Sequence, residues 1–178
     1  FGGLRQDMES LSLASYFAQV SEVLSQEDYP TPELQSLLLN SLYVLSELKL
    51  PLAQVKAVFE LRSACIAGFT PDLYGCHVCG SQMPTRFDLS SGLLECAACR
   101  DTASAGIRLP ISPAMLEAMR FICFCDPKKL FSFRLDDGAL EQLAALTEGF
   151  LTTQLERGFP ALDFYKSLCF RADTPGAT

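Results

Sequence analysis

The sequence predicts a mainly α-helical fold: a helical bundle with an inserted zinc-ribbon-like β-hairpin. Two observations predict it. Most of the 178 residues fall into stretches with apolar side chains at helical spacing, and 49% of the chain is apolar, which is enough for a packed core. Residues 71–107 lack this period and hold two C-x-x-C pairs. The bundle is therefore predicted over residues 1–70 and 108–173, the metal-binding insertion over 71–107, and a frayed tail over 174–178.

Three helices are predicted before the insertion. The first covers MESLSLASYFAQVSEVL, where apolar side chains recur at helical spacing. Thr31 and Pro32 mark the start of the second helix as its N-cap and its first helical residue. This helix, PELQSLLLNSLYVLSEL, is apolar around most of its circumference, which predicts a place at the centre of the bundle. Pro51 opens the third helix, and Gly68 ends it as a C-cap.

A hairpin and two further helices are predicted next. Residues 87–89 and 93–95 flank Ser-Ser-Gly, which is a short hairpin signal. Ser112, as an N-cap, and Pro113 then begin a fourth helix. A fifth helix runs through GALEQLAALTEGFLTTQLE and is closed by Gly158, after which the short segment ALDFYKSLCF follows.

Four of the eight cysteines form the pattern C-x2-C-x16-C-x2-C: Cys76, Cys79, Cys96 and Cys99. This spacing is typical of a four-cysteine zinc site. In such a site each C-x-x-C turn directs two thiolates at one ion, and the intervening hairpin brings the two turns together at Zn–S distances of about 2.3 Å. The pattern therefore predicts one structural Zn²⁺ per chain.

Other uses of paired cysteines agree less well with the sequence. A thioredoxin-like dithiol needs a single C-x-x-C, and a c-type haem needs a histidine where Gly80 and Arg100 stand. A zinc deaminase needs H-x-E and P-C-x-x-C, and four thiolates leave a metal no open position. His77 is the only histidine and is interpreted as an exposed knuckle residue, so a Ser-His-Asp or Cys-His catalytic set is excluded. The sequence favours a non-catalytic binding or scaffolding role.

The remaining composition narrows the class of protein. The net charge of −7 argues against a strongly basic nucleic-acid-binding surface on this chain. No apolar run approaches the roughly 18 residues that a membrane span needs, and the first residues show no signal region. The length and the apolar content argue against a secreted disulfide scaffold. The other four cysteines are interpreted as small core side chains: Cys65, Cys123, Cys125 and Cys169.

The stretch FELRSACIAGFTPDLYGCHVCG, residues 59–80, resembles the RecO family of bacterial recombinational-repair proteins. The shared pattern is Phe-Glu-Leu-Arg, several apolar residues, Gly, a hydrophobic residue, Pro, and then Cys-x-x-Cys-Gly. The hairpin FDLSSGLLECAAC and residues 13–16 and 166–168 extend the similarity. The family's layout is an N-terminal OB-fold followed by a helical domain with a zinc-binding insertion. The chain is therefore expected to correspond to the second part, with the upstream OB-fold absent from it.

The resemblance implies a recombination mediator that is not an enzyme. Such a protein cooperates with RecR and RecF to load RecA onto single strands coated by single-stranded-DNA-binding protein (SSB), and it anneals complementary strands. The resemblance also implies contact with the acidic, hydrophobic C-terminal tail of SSB, and binding of single- and double-stranded DNA mainly through the OB-fold. It implies a cytoplasmic, nucleoid-associated bacterial protein. The alternative function is a zinc-containing protein-interaction adaptor without direct DNA binding, and an enzyme with metal–thiolate chemistry is disfavoured.

Basic residues beside aromatic ones mark candidate partner-binding or DNA-binding positions. The segment RFICFCDPKKLFSFR places four cations among phenylalanines: Arg120, Lys128, Lys129 and Arg134. This combination suits an acidic hydrophobic tail or a DNA backbone, whereas the simpler interpretation is a phenylalanine core with solvated cations. Lys49, Lys56 and Arg62, around the third helix, form a second candidate set. Arg62 is expected to contact DNA or to serve as a structural ion-pair partner.

Overall fold

The computed structural model describes residues 7–25, 31–99 and 106–172, so the predicted frayed tail lies outside the described residues. The helices are α1 (Met8–Leu24), α2 (Pro32–Glu47), α3 (Leu52–Ile66), α4 (Pro113–Phe124), α5 (Asp137–Leu155) and α6 (Pro160–Ala172). The strands are β1 (Arg86–Asp88), β2 (Leu94–Glu95) and β3 (Arg108–Pro110). The predicted fold class, a mainly α protein with an inserted β-hairpin, is confirmed. Within these ranges no helix is both long enough and apolar enough to cross a membrane.

Side-chain caps fix where several helices begin. The Asp7 carboxylate accepts hydrogen bonds from backbone N–H groups of the first turn of α1. Ser112 caps α4 in the same way, accepting from the N–H of Met115 at 3.2 Å. Thr31 occupies the N-cap position of α2 with Pro32 after it, although the Thr31 side chain makes no capping hydrogen bond. The predicted starts of α2 and α4 are therefore confirmed.

Left-handed residues end two of the helices. Gly68 has a φ of +93°, and the N–H of Phe69 reaches back to the carbonyl of Ala64, so the predicted C-cap of α3 is confirmed. The predicted end of the fifth helix at Gly158 is wrong. Helix α5 ends at Leu155, because the next residue, Glu156, has a φ of 51° and is left-handed. The short segment that follows is the helix α6, which packs against α1.

Helix α3, and not α2, lies at the centre of the bundle. It packs against α1, α2, α4 and α5, and side chains all around it are buried, with Val55 and Phe59 among them. The prediction that α2 is central is wrong, because its apolar residues are divided between two faces. Leu37 faces the core, whereas Leu39 and Tyr43 are 58% and 54% exposed. A broad apolar circumference therefore did not imply burial on every side.

A cluster of charged and polar side chains lies buried between α3 and α5. Lys56 Nζ lies 3.0 Å from Glu60 Oε1 and 2.8 Å from Glu148 Oε2. The Tyr16 hydroxyl donates to Glu60 Oε1 at 2.9 Å, and Thr147 Oγ1 donates to Glu60 Oε2 at 2.8 Å. Burial raises the pKa of Glu60. Burial alone would lower the pKa of Lys56, but the two carboxylates raise it. We name these five residues the buried ionic cluster.

The sheet has the strand order β2-β1-β3 and is antiparallel throughout. Phe87 pairs with Leu94 on one side and with Leu109 on the other. The predicted hairpin corresponds to β1 and β2, whereas β3 was not predicted. Strand β3 pairs with the hairpin but lies in the stretch that the sequence assigned to the bundle. The border between insertion and bundle at residues 107 and 108 stays a prediction.

The hairpin is packed against α5. The rings of Phe87 and Phe150 meet edge to face with centroids 5.3 Å apart. The Gln154 side-chain amide donates to the carbonyls of Leu89 and Ser90 at 2.9 and 3.0 Å. The position of the cysteine-bearing segments is thus fixed relative to the bundle.

Candidate functional site

The two C-x-x-C pairs meet in space because the hairpin folds back on itself. Cys76 and Cys79 precede β1, Cys96 and Cys99 follow β2, and a parallel bridge between Cys76 and Leu94 joins the first pair to the second strand. All four sulfur atoms lie within 4.8 Å of one another, and Cys79 Sγ is 3.9 Å from Cys96 Sγ. A tetrahedron with Zn–S bonds of about 2.3 Å has S···S edges of about 3.8 Å. The four cysteines could therefore hold a metal ion with little rearrangement.

The pKa values of the cysteine thiols indicate that this cluster favours a bound cation. Burial disfavours the Cys76 thiolate, but backbone N–H groups of Cys79, Val78 and Cys96 donate to its sulfur, and its pKa falls to about 6. The reverse holds for Cys99, whose hydrogen bond with Cys79 raises its pKa to about 12. The four thiols cannot all ionise at this separation without a positive charge between them. A divalent ion supplies that charge, and thiolate ligands lose their protons when it binds.

His77 lies beside the sulfur cluster but is not part of it. Its side chain is 29% exposed, and Nε2 lies 3.4 Å from a carboxylate oxygen of Glu95. Glu95 in turn accepts a hydrogen bond from Arg108 Nε at 2.7 Å, which joins β2 to β3. Four sulfurs would complete the shell of a tetrahedral ion, so this arrangement suits structural stabilisation rather than reaction with a substrate.

A groove of about 970 Å³ runs along α4 beside the loop that precedes the first cysteine pair. Most of its lining is apolar or aromatic, and two aromatic residues are conspicuously open to solvent: Tyr74 is 81% exposed and Phe124 is 67% exposed. The cations of the groove are Arg120 and Arg134. We name this feature the aromatic groove.

The two arginines of the aromatic groove have different roles. Arg120 donates from Nε to the carbonyl of Leu73 at 2.9 Å and from Nη2 to the carbonyl of Tyr74 at 3.1 Å, and its Nη1 pairs with Glu117 at 2.6 Å. It therefore fixes the loop to α4. Arg134 is exposed and forms no ion pair among the described residues; of the carboxylates in the groove lining, Glu117 pairs with Arg120 instead.

The other predicted cations lie elsewhere. Lys128 and Lys129 are exposed on the 3-10 turn after α4, outside the groove lining. Arg62 donates to the carbonyls of Ile122 and Cys123 and so caps the C-terminal end of α4. The structure thus brings Arg120 and Arg134 together and separates them from the remaining candidates. Of the second set, Lys49 is exposed and Lys56 belongs to the buried ionic cluster.

The loop side of the groove and the buried ionic cluster were not predicted from the sequence. Tyr74 stands in a Pro- and Gly-containing loop just before Cys76, and binding residues are frequent on loops. That context was the available signal for an exposed binding residue. For Glu60, the signal was a carboxylate at the centre of a helix, directly flanked by the apolar residues Phe59 and Leu61.

Comparison with known proteins supports the family resemblance that the sequence indicated. The family described as "Recombination protein O C terminal" matches residues 5–163. The DNA repair protein RecO of Acetivibrio thermocellus is 30% identical over 174 residues, which cover 94% of this chain and 67% of that protein. RecO of Desulforudis audaxviator is 29% identical over 172 residues, again with 94% and 67% covered. RecO of Anaeromyxobacter sp. strain K is 31% identical over 148 residues, which cover 82% of this chain and 52% of that protein. The chain thus spans between about half and two thirds of the length of these relatives, and it belongs to the RecO family of DNA repair proteins.

Proposed function

We propose that this chain is the partner-binding helical part of a recombination mediator that works without catalysis. In this role it binds the SSB tail and RecR and helps to load RecA onto single-stranded DNA in the RecF pathway. DNA binding and strand annealing by the whole protein are assigned chiefly to the OB-fold that the family resemblance implies. This assignment is consistent with the acidic net charge of −7 on the present residues. The proposed location is the bacterial cytoplasm, in association with the nucleoid.

The observation that carries the proposal is the aromatic groove. An acidic hydrophobic tail needs an apolar recess for its end and a cation for its carboxylates. Phe124 and Tyr74 present exposed rings for the apolar end, and at the same groove Arg134 offers a guanidinium that has no ion pair within the described part of the chain. Arg120, already bonded to Leu73 and Tyr74, holds the wall in place.

We also propose that Cys76, Cys79, Cys96 and Cys99 bind one structural Zn²⁺. The four thiols favour the assignment to zinc, because structural zinc sites prefer soft sulfur donors at tetrahedral separation. The ion would fix the hairpin and the loop that begins the first cysteine turn. Since Tyr74 stands two residues before Cys76, the zinc site supports one wall of the aromatic groove.

The groove is tested with a fluorescent peptide of the SSB C-terminal tail and the unmodified chain, by anisotropy. We expect saturable binding that Arg134→Glu weakens at least about tenfold, because the guanidinium becomes a repelling carboxylate. Phe124→Ala should weaken binding to a similar degree by removing an exposed ring. Lys49→Glu, a matched charge reversal on an exposed residue outside the groove lining, should bind like the unmodified chain.

Two outcomes would contradict the proposal. Unchanged peptide affinity in both groove variants would show that the tail does not bind in the groove. The longer protein that includes the OB-fold should bind single-stranded DNA with affinity that falls steeply as salt rises. Tail binding without any DNA binding by that longer protein would favour the adaptor function instead.

A further inference from the structure

Two cysteines outside the zinc cluster face each other across helices α3 and α4. Cys65 lies in the last turn of α3 and Cys123 in the last turn of α4, and their sulfur atoms are 3.5 Å apart. A disulfide bond is about 2.05 Å long, so the two sulfurs need to approach by about 1.5 Å. Rotations of the two side chains can supply part of that distance without moving the helices.

The pair is open to small reactants. Cys65 is half-buried and, together with Cys123, lines a cavity of about 650 Å³ between α2, α3 and the end of α4. Arg62 lines the same cavity and is held beside the pair by its hydrogen bonds to the carbonyls of Ile122 and Cys123. A peroxide therefore has room to reach the sulfur of Cys65 beside a fixed positive charge.

The two thiols differ in their ionisation. The contact with the Cys123 thiol lowers the pKa of Cys65 although burial opposes this, and Thr70 and the Arg62 charge lower it further. The same interaction raises the pKa of Cys123, and burial adds to that effect. The thiolate is the reactive form of cysteine, so Cys65 is the expected nucleophile and Cys123 the resolving thiol.

We propose that Cys65 and Cys123 are a peroxide-sensitive dithiol that closes into a disulfide between α3 and α4. The Cys65 thiolate attacks one oxygen of hydrogen peroxide; an S–O bond forms, the O–O bond breaks, and the departing hydroxide takes up a proton to become water. The Cys123 sulfur then attacks the Cys65 sulfenic acid; the S–S bond forms, the S–O bond breaks, and a second water leaves. Two thiols and one peroxide thus give one disulfide and two waters, with sulfur oxidised and peroxide reduced.

The disulfide would cross-link the chain close to the turn that carries two exposed lysines. The end of α4 is followed within a few residues by the turn that carries Lys128 and Lys129. Arg62 also binds this end, so α3 and α4 are already joined there by hydrogen bonds. Oxidation would turn that joint into a covalent one and limit how far the turn can move relative to α3.

The test is oxidation of the reduced, folded chain with hydrogen peroxide, followed by alkylation of free thiols and mass spectrometry. Cleavage after Arg62 and before Asp72 leaves Cys65 in the peptide 63–71, without the zinc-cluster cysteines. Cleavage after Arg120 and before Asp126 leaves Cys123 in the peptide 121–125, which also contains Cys125. We expect these two peptides to be linked in at least about tenfold excess over any other partner of Cys65, because the native fold holds the pair in contact.

Matched variants identify the sulfur atoms involved. Cys125→Ser should leave the cross-link unchanged, whereas Cys123→Ser and Cys65→Ser should each abolish it. Oxidation in concentrated guanidinium chloride should distribute Cys65 over many partners, which ties the pairing to the fold. The proposal is overturned if the unmodified folded chain gives no link between the two peptides, or if the link persists in Cys123→Ser.

Discussion

At the scale of single residues, the segment Phe-Glu-Leu-Arg at residues 59–62 has a structural role. Its glutamate, Glu60, is fully buried and receives hydrogen bonds from α1 and α5 as well as an ion pair from α3. Its arginine, Arg62, caps the end of α4. Two polar residues of one helix thus connect it to three neighbouring helices. A buried charge is tolerated here only because each oxygen of Glu60 has a partner.

Replacement of Lys56 by methionine should therefore be strongly destabilising. The variant keeps an unbranched apolar side chain but leaves two carboxylates, Glu60 and Glu148, near each other without the cation between them. We expect a loss of about 3–5 kcal/mol in the free energy of unfolding, measured by urea denaturation. The control is Lys166→Met, which removes a half-exposed cation from the same Glu148 and should cost less than about 1 kcal/mol. Equal losses in the two variants would contradict the importance assigned to burial.

At the scale of secondary-structure elements, local signals predicted the helices well and their packing poorly. Ser112 and Pro113 identified the start of α4 because capping acts within a few residues. The centrality of α3 was not predictable from hydrophobicity, since its buried face includes Lys56, Glu60 and Gln54. Strand β3 is three residues long, and its pairing with β1 joins residues distant in the sequence. Such a strand carries no periodic pattern of its own.

The attachment of the hairpin to α5 can be tested at Gln154. Gln154→Ala removes two hydrogen bonds to the turn, those to Leu89 and Ser90. We expect a loss of about 1–2 kcal/mol and amide hydrogen exchange about tenfold faster across residues 87–92, because that turn would open more often. Gln142→Ala, at an exposed position of the same helix, should leave exchange in the turn unchanged. Uniformly faster exchange over the whole chain would instead indicate a global loss of stability.

At the scale of the whole molecule, the four-cysteine cluster and the aromatic groove differ in how far they could be predicted from the sequence. The cysteine spacing alone predicted that four thiols would meet, because each C-x-x-C turn and the hairpin between them are local structures. The aromatic groove combines α4 with residues from before the first cysteine pair and after the turn at Lys128. Only the packed chain brings these together. Arg134 and Arg120 therefore could be named as candidates, but their different roles could not.

Metal removal should affect the entire chain and not the hairpin alone. The side chains of Phe87, Leu89 and Leu94 belong to the same continuous core as the helices, so the cysteine segments and the bundle share one hydrophobic interior. Structural zinc contributes on the order of 10–16 kcal/mol in small fingers, which is comparable to the stability of a whole domain.

We therefore expect metal analysis to find one zinc ion per chain. Removal of the metal with a chelator should lower the melting temperature, monitored by circular dichroism, by more than about 10 °C. Cys96→Ser should reproduce the chelated curve, because three thiolates hold the ion less tightly and the fourth position opens to water. Cys125→Ser is the matched control: this half-buried cysteine lies outside the four-sulfur cluster and should shift the melting temperature by only a few degrees. If chelated protein and Cys96→Ser both melted like the untreated chain, the cysteine cluster would contribute nothing to the stability of the fold.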